Sequence, residues 1–328
     1  METKKGLVLF PCDAATRQRL IAETRGLCDF TFREDDWAAE QYHDALKTAH
    51  IIIGEPRNED FAFCERLELM HSPSSGVNYY MDGGKFPRNA TLCCMTGGYG
   101  NILAEHMLAM TLSLCRRLPE YRDQQHRHQW EIRKYDKQLE GSTVMILGAG
   151  DIGTTLAKWM RPMVGKIIGV RRVARAYPPC YDEMLTLEEL DDRIGEADIL
   201  LCALPHTPQT IHLLNEKRLR SMKKDAVLVN GGRGSLIDQE ALCTLLREGH
   251  FWGVGLEVTS PEPLPEDHPL WDMPRLIITP HAAGNSFAPG SPLERKIWDF
   301  IIPNVARFLR GELPENRVDF KTGYRETK

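Results

Sequence analysis

Three glycines, Gly148, Gly150 and Gly153, stand at the spacing G-x-G-x-x-G within the stretch Thr143 to Arg172. An apolar run, Val144 to Leu147, precedes them, and helical periodicity through Leu156, Ala157 and Met160 follows. The chemistry this spacing serves is anion binding. The first glycine permits a tight turn, the second lets a pyrophosphate approach the backbone, and the third lets the helix lie close to the strand. The amides at the start of the helix, at Asp151 and Ile152, then face the phosphate. A second apolar run, Ile167 to Val170, completes a strand, helix, strand unit, so the expected ligand is a dinucleotide. An NAD site places a carboxylate about 20 residues beyond the glycine turn, to bind the adenosine ribose. This chain has Arg171 and Arg172 there, with Arg175 close behind. Guanidinium groups suit the 2′-phosphate of NADP, so NADP is the expected cofactor, with NAD as the alternative.

The rest of the chain must position that turn. With 328 residues, 42% of them hydrophobic, it can bury the cores of two domains. Lys and Arg number 41 against 46 Asp and Glu, a net charge of -5 that offers no general attraction to nucleic acid or to an anionic membrane. The nine cysteines include no CxxC pair, and the apolar run near the start is too short for a signal peptide, which together suggest a reducing cytoplasm. Adjacent Cys93 and Cys94 read as small buried side chains. His126 and His128 have no cysteine or carboxylate at ligand spacing, so no metal is expected.

Before the glycine turn, short apolar runs at Gly6 to Phe10, Cys28 to Phe32, His50 to Ile53 and Leu67 to Met70 alternate with helical or loop stretches, the pattern of a small parallel sheet. The loop Ser72 to Tyr80 follows the last of them, and the backbone amides of Ser75, Gly76 and Val77 could bind a carboxylate. A helix from Asn101 to about Leu118, apolar almost all round, is expected to be buried, to bridge two domains and to offer a subunit contact. Beyond Arg172, runs at Asp198 to Pro205, Ala226 to Gly232, Trp252 to Val258 and Leu276 to Pro280 read as further strands of the second sheet. A helix from Leu293 to Leu309 is expected to break or kink at Pro303.

The ends of these strands carry a resemblance. LPHTPQT (Leu204 to Thr210), VNGGRGSLID (Val229 to Asp238), GLEVTSPEPLP (Gly255 to Pro265) and ITPHAAG (Ile278 to Gly284), in that order, resemble the D-isomer-specific 2-hydroxyacid dehydrogenases, which include the glyoxylate/hydroxypyruvate reductases. AEH (Ala104 to His106) matches the family's linking helix. The resemblance implies an α/β fold of two doubly wound parallel-sheet domains, with a Rossmann cofactor domain (99–287) inserted into a discontinuous flavodoxin-like substrate domain (1–98 plus 288–328). It implies cofactor contacts at Leu204, Pro205, Thr210, Gly231, Glu257 and Ala283, and a catalytic set of Arg233, Glu262 and His281. Arg233 would grip the substrate carboxylate, His281 would give a proton to the keto oxygen as hydride arrives, and Glu262 would stabilise the charged imidazole.

Two positions depart from the family. Glu257 stands where Asp is usual, and Ser74 to Asn78 replaces the usual Ala-Gly-Val-Asp wording. The function implied is interconversion of a 2-keto acid and its D-2-hydroxy acid by a homodimeric, NAD(P)-dependent enzyme. The alternative is a cofactor-sensing, corepressor-like binding protein on the same fold. Such proteins carry disordered extensions, whereas this sequence shows no Pro- or Ser-rich tail, which favours the enzyme.

Overall fold

A computed structural model describes residues 3–81, 85–172, 176–284 and 290–326. The chain divides into two compact units, Met1–Tyr99 with Ser286–Lys328, and Gly100–Asn285, so the second is inserted into the first. The sequence reading put these divisions at 98/99 and 287/288.

The N-terminal part of the first unit runs β1 (Lys4–Val8), α1 (Ala14–Thr24), β2 (Cys28–Phe32), α2 (Ala39–Thr48), β3 (Ile51–Ile53), β4 (Leu69–His71) and β5 (Thr91–Cys93). All five strands pair in parallel in the order β2-β1-β3-β4-β5, the flavodoxin-like arrangement. Helix α1 starts where the Asp13 side chain accepts the Thr16 N–H at 2.7 Å. Strand β5 was not anticipated from the sequence, because three residues show too little pattern to read.

The second unit opens with α3 (Gly100–Cys115) and α4 (Leu118–His126), separated at Arg117, whose φ of 54 ends the first helix. The helix expected to bridge the domains thus lies within the second unit and is shorter than read. There follow β6 (Thr143–Leu147), α5 (Asp151–Met160), β7 (Lys166–Val170), β8 (Glu183–Leu185), α6 (Leu190–Arg193), β9 (Ile199–Cys202), α7 (Glu216–Ser221), β10 (Val227–Asn230), α8 (Gln239–Arg247), β11 (Gly253–Leu256) and β12 (Leu276–Ile278). The seven strands are parallel in the order β12-β11-β10-β9-β6-β7-β8, a Rossmann sheet with one strand added at an edge.

Side chains alternate across this sheet. Met145, Leu147, Leu200, Cys202 and Leu228 face the core under α6, α7 and α8, while Val144, Ile146, Ile199, Leu201 and Val229 face Met107, Met110, Leu156 and Met160 of α3 and α5. Both faces are covered, which is why the strands read as unbroken apolar runs.

The chain then completes the first unit with α9 (Pro292–Leu309) and a small antiparallel pair, β13 (Val318–Asp319) with β14 (Tyr324–Arg325). Of the break or kink expected at Pro303, the break does not occur: α9 runs through it as one helix. The residue is exposed, and so is Asp299 one turn back, so water can satisfy the carbonyl that loses its partner. The apolar stripe of Ile297, Trp298, Ile301, Ile302 and Val305 holds the helix together from the buried side.

Candidate active site

The carboxyl ends of β6, β9, β10, β11 and β12 lie along one edge of the larger sheet, and the strand order reverses between β6 and β9, where open α/β sheets bind ligands. Gly148 turns the chain at φ 102, and a Cβ there would stand 2.7 Å from the Ala203 carbonyl oxygen. At Gly153 a Cβ would stand 2.1 Å from the Gly148 oxygen, so only glycine lets α5 sit on the turn. Gly150 differs: nothing lies within 4 Å of its Cβ position. As the N-cap of α5 it brings no side chain to the first turn, which leaves the amides of Asp151 and Ile152 open to an anion. These residues fit a dinucleotide pyrophosphate.

The other expected cofactor residues have varied surroundings. Arg171 is half-buried, its Nη2 donates to the Ala176 carbonyl at 3.1 Å, and its backbone N–H reaches Leu185 O at 3.0 Å. Arg172 is exposed, and Arg175 lies outside the described residues. Leu204 and Pro205 follow β9, and Thr210 shapes their loop: its Oγ1 donates to Pro205 O at 2.7 Å and accepts the Thr207 N–H at 2.8 Å. Gly231 is glycine for a packing reason, since a Cβ there would lie 2.6 Å from the Met107 sulfur of α3.

Three of the expected residues come together at neighbouring strand ends. Arg233 follows β10 in a turn shaped by the fully buried Asn230, whose Oδ1 accepts the Gly232 N–H at 3.1 Å and whose Nδ2 donates to Arg233 O at 2.9 Å. Next to it, Gly234 approaches β11's loop so closely that a Cβ would stand 1.9 Å from Thr259 O. That loop carries Glu262, whose Oε1 accepts the Thr259 N–H at 3.0 Å and whose Oε2 takes His281 Nδ1 at 2.8 Å. His281 stands after Pro280 beyond β12 with φ 52. With Nδ1 held by the carboxylate, Nε2 is the ring atom left to exchange a proton. The imidazole side chain is 48% exposed, so a small molecule can reach it.

Electrostatics support the pairing. Burial raises the Glu262 pKa, but the bonds from His281 and Thr259 and the positive charges of His281 and Arg233 outweigh it and bring the carboxyl below its ordinary value. Arg233 is pulled down by burial against the opposing charge of Glu262, and it stays a cation.

Glu257, expected to contact the cofactor, is held within the chain. Only 2% exposed, its Oε1 accepts the Ala283 N–H at 2.6 Å, and its Oε2 accepts the Thr279 hydroxyl and lies 3.1 Å from His106 Nε2. Ala283, also expected to touch cofactor, spends its N–H on this bond. Asn230, Thr259 and Thr279 were missed by sequence reasoning. A polar residue closing the apolar run VLVN was the one signal that pointed to Asn230.

In the first unit, Ser75 and Ser74 are stapled to the chain after β5: Ser75 Oγ donates to Met95 O at 3.0 Å, and Met95 N donates to Ser74 O at 2.8 Å. A cavity of about 310 Å³ opens there, lined by Glu55, Pro56, Arg57, Ser74, Gly76, Tyr79 and Tyr80. Val77 is buried just beyond it, and Glu55 is fixed by the Ser72 hydroxyl at 2.6 Å.

Residues 108–283 match the family described as D-isomer specific 2-hydroxyacid dehydrogenase, NAD binding domain. Over 302 residues the chain is 30% identical to glyoxylate/hydroxypyruvate reductase B of Pectobacterium carotovorum, covering 88% of this chain and 92% of that protein. It is 32% identical over 235 residues to glyoxylate/hydroxypyruvate reductase A of Photorhabdus laumondii, covering 69% of this chain and 70% of that one. Among solved structures, a D-isomer specific 2-hydroxyacid dehydrogenase family protein from Aeromonas salmonicida is similar with a TM-score of 0.83 and 30% identity, covering 97% of this chain and 100% of that one. With the strand-end motifs, the two parallel sheets and these relatives in agreement, the chain belongs to the D-isomer-specific 2-hydroxyacid dehydrogenase family.

Proposed function

We propose that the protein reduces a small 2-keto acid to the D-2-hydroxy acid, and catalyses the reverse, with NADP(H) preferred over NAD(H). The observation that carries this reading is the 2.8 Å contact of His281 Nδ1 with Glu262, one strand away from the Arg233 turn in the same sheet. A nicotinamide dinucleotide, held by the glycine turn, supplies the hydride when bound. Arg233 pairs with the substrate carboxylate through two parallel N–H donors. His281 Nε2 gives its proton to the keto oxygen while the keto carbon takes the hydride, so that C=O becomes CH–OH, and Glu262 balances the imidazolium before transfer. Backbone amides at Ser75, Gly76 and Val77 are further candidate carboxylate donors, and relatives named glyoxylate/hydroxypyruvate reductases make short keto acids the first substrates to try.

NADP(H) preference rests on Arg171 and Arg172 in place of a ribose-binding carboxylate. A charge-assisted bond to a 2′-phosphate contributes roughly 1.5–3 kcal/mol before solvent weakens it, which matters most for the exposed Arg172. A homodimer is supported by segment 129–138, tied to its own unit by Arg117 Nε donating to Tyr135 O and Lys137 N to Cys115 O. It nevertheless presents Trp130 at 96%, Ile132 at 86% and Tyr135 at 76% exposure, a run of large apolar side chains of the kind that marks an interaction surface.

Four outcomes are expected. His281→Ala should lower kcat for keto-acid reduction by about 10²–10⁴-fold while cofactor still binds, and near wild-type turnover would remove His281 as the proton donor. Reduction uses Glu262 as a carboxylate, so its rate should fall on the acid side as that carboxyl takes a proton, and Glu262→Gln should lower kcat and remove this acid limb. Because the folded Glu262 pKa is depressed, its ion pair persists above the ordinary carboxylate range and is lost as pH drops through the lowered value. An acid limb that persists unchanged in the Gln variant would mean that Glu262 does not act on the imidazole.

In assays with both cofactors, kcat/KM for NADPH should exceed that for NADH by about tenfold or more, and replacing Arg171 and Arg172 together by uncharged residues should erase most of the gap. Equal use of the two would refute the arginine reading. Light scattering should give twice 37.3 kDa for the native protein and 37.3 kDa once Trp130 and Ile132 both become Asp; an unchanged mass would place any subunit contact elsewhere.

A further inference from the structure

We propose that Glu257 is a positioning residue that sets the proton donor in place, by gripping the turn on both sides of His281 from beneath. The inference rests on the reading of His281 as that donor. Three connections make the grip. The Glu257 carboxylate takes the Thr279 hydroxyl two residues before His281 and the Ala283 N–H two residues after it, while the Glu257 carbonyl accepts the N–H of His281 itself at 2.9 Å.

The turn needs such a hold. His281 has a backbone φ of 52, which a non-glycine residue keeps only when its surroundings enforce it. The strand that leads into it, β12, is at the sheet edge and half-buried, so the sheet alone fixes it weakly. From the other side, His106 of α3 lies 3.1 Å from the same carboxylate and 3.0 Å from Thr279 Oγ1, which ties the grip to the helix packed under the sheet.

Length decides the geometry. An aspartate is one carbon–carbon bond shorter, about 1.5 Å, and cannot reach both Thr279 and Ala283 from the same backbone position. Both Glu257 oxygens are already engaged inside the chain at 2% exposure, as a positioning role requires. This separates a positioning role from cofactor recognition: the first depends on reach, the second on charge.

The test compares Glu257→Asp, which keeps charge and loses reach, with Glu257→Gln, which keeps reach and an acceptor for Ala283. Four quantities are read in the full chain: kcat and KM for keto-acid reduction, the NADPH dissociation constant by fluorescence, and hydrogen exchange in the peptide spanning 279–284. The aspartate variant should lose about 10–100-fold in kcat, since a displacement near 1 Å at a reacting group can cost that much. Its NADPH affinity should stay within about twofold, its KM should move less than its kcat, and exchange at 279–284 should quicken. The glutamine variant should stay within about fivefold of wild type in kcat and retain slow exchange.

An aspartate variant with wild-type kcat and exchange overturns the proposal. So does a kcat loss matched by an equal loss of NADPH affinity, which would assign Glu257 to the cofactor. Should the aspartate variant fail to fold, Thr279→Val removes one partner and leaves the carboxylate in place. It should cost about 3–10-fold in kcat, and no loss would count against the grip. If the wild-type protein turned over no 2-keto acid, the functional reading would fall, while the exchange comparison would still decide whether Glu257 holds the turn.

Discussion

The larger sheet is organised by backbone approaching backbone with no room for a side chain between. A Cβ at Gly153 would strike Gly148 O, one at Gly148 would strike Ala203 O, one at Gly232 would lie 2.6 Å from Leu204 O, and one at Gly234 would strike Thr259 O. These four approaches join the loops after β6, β9, β10 and β11 into one layer. Everything charged at that edge is positioned by this layer, because Arg233 stands between two of its glycines and Glu262 hangs from the loop that Gly234 touches. Side-chain hydrogen bonds from Asn230 and Thr210 then fix the loops within the layer.

Two glutamates five residues apart show how environment divides labour between identical groups. Glu257 is buried and has each oxygen bonded within the chain, which suits it to holding structure. Glu262 is partly open, meets a single imidazole, and has its pKa lowered by positive neighbours, so it remains a charge that a proton transfer can use. The difference follows from the loop that separates them, which turns the second carboxylate out of the sheet while the first stays beneath the β12 turn.

The sequence made the sheets legible because strands covered on both faces must be apolar throughout, as Val144 to Leu147 and Ile199 to Cys202 are. It hid β5 and β8, whose three-residue lengths carry no period, and it left open a break at Pro303 that does not occur, because a proline on the wet face of a helix sacrifices a bond that water replaces. Within the site, Arg233, Glu262 and His281 could be named from motifs, since their chemistry is written in residue type. The grip around Glu257 could not, because Thr279, Ala283 and His106 meet it only through register and helix packing. One methylene in the sequence gave no hint of which groups it would reach.

The insertion of one unit into the other has a consequence for how the protein is made. Trp298 of α9 packs on Phe10 and bonds Pro11 O at 3.1 Å, and Asn304 reaches the buried His71 at 3.1 Å, so the first unit's core includes residues near the end of the chain. The stretch from Gly100 to Asn285 is continuous and self-contained. On the ribosome the part synthesised first therefore stays without its α9 packing, while the part synthesised second has its whole sequence available earlier. Domains usually mature in the order they emerge. Here the N-terminal sheet must wait, with the α9-facing surface around Phe10 and His71 uncovered, until more than 290 residues have been translated.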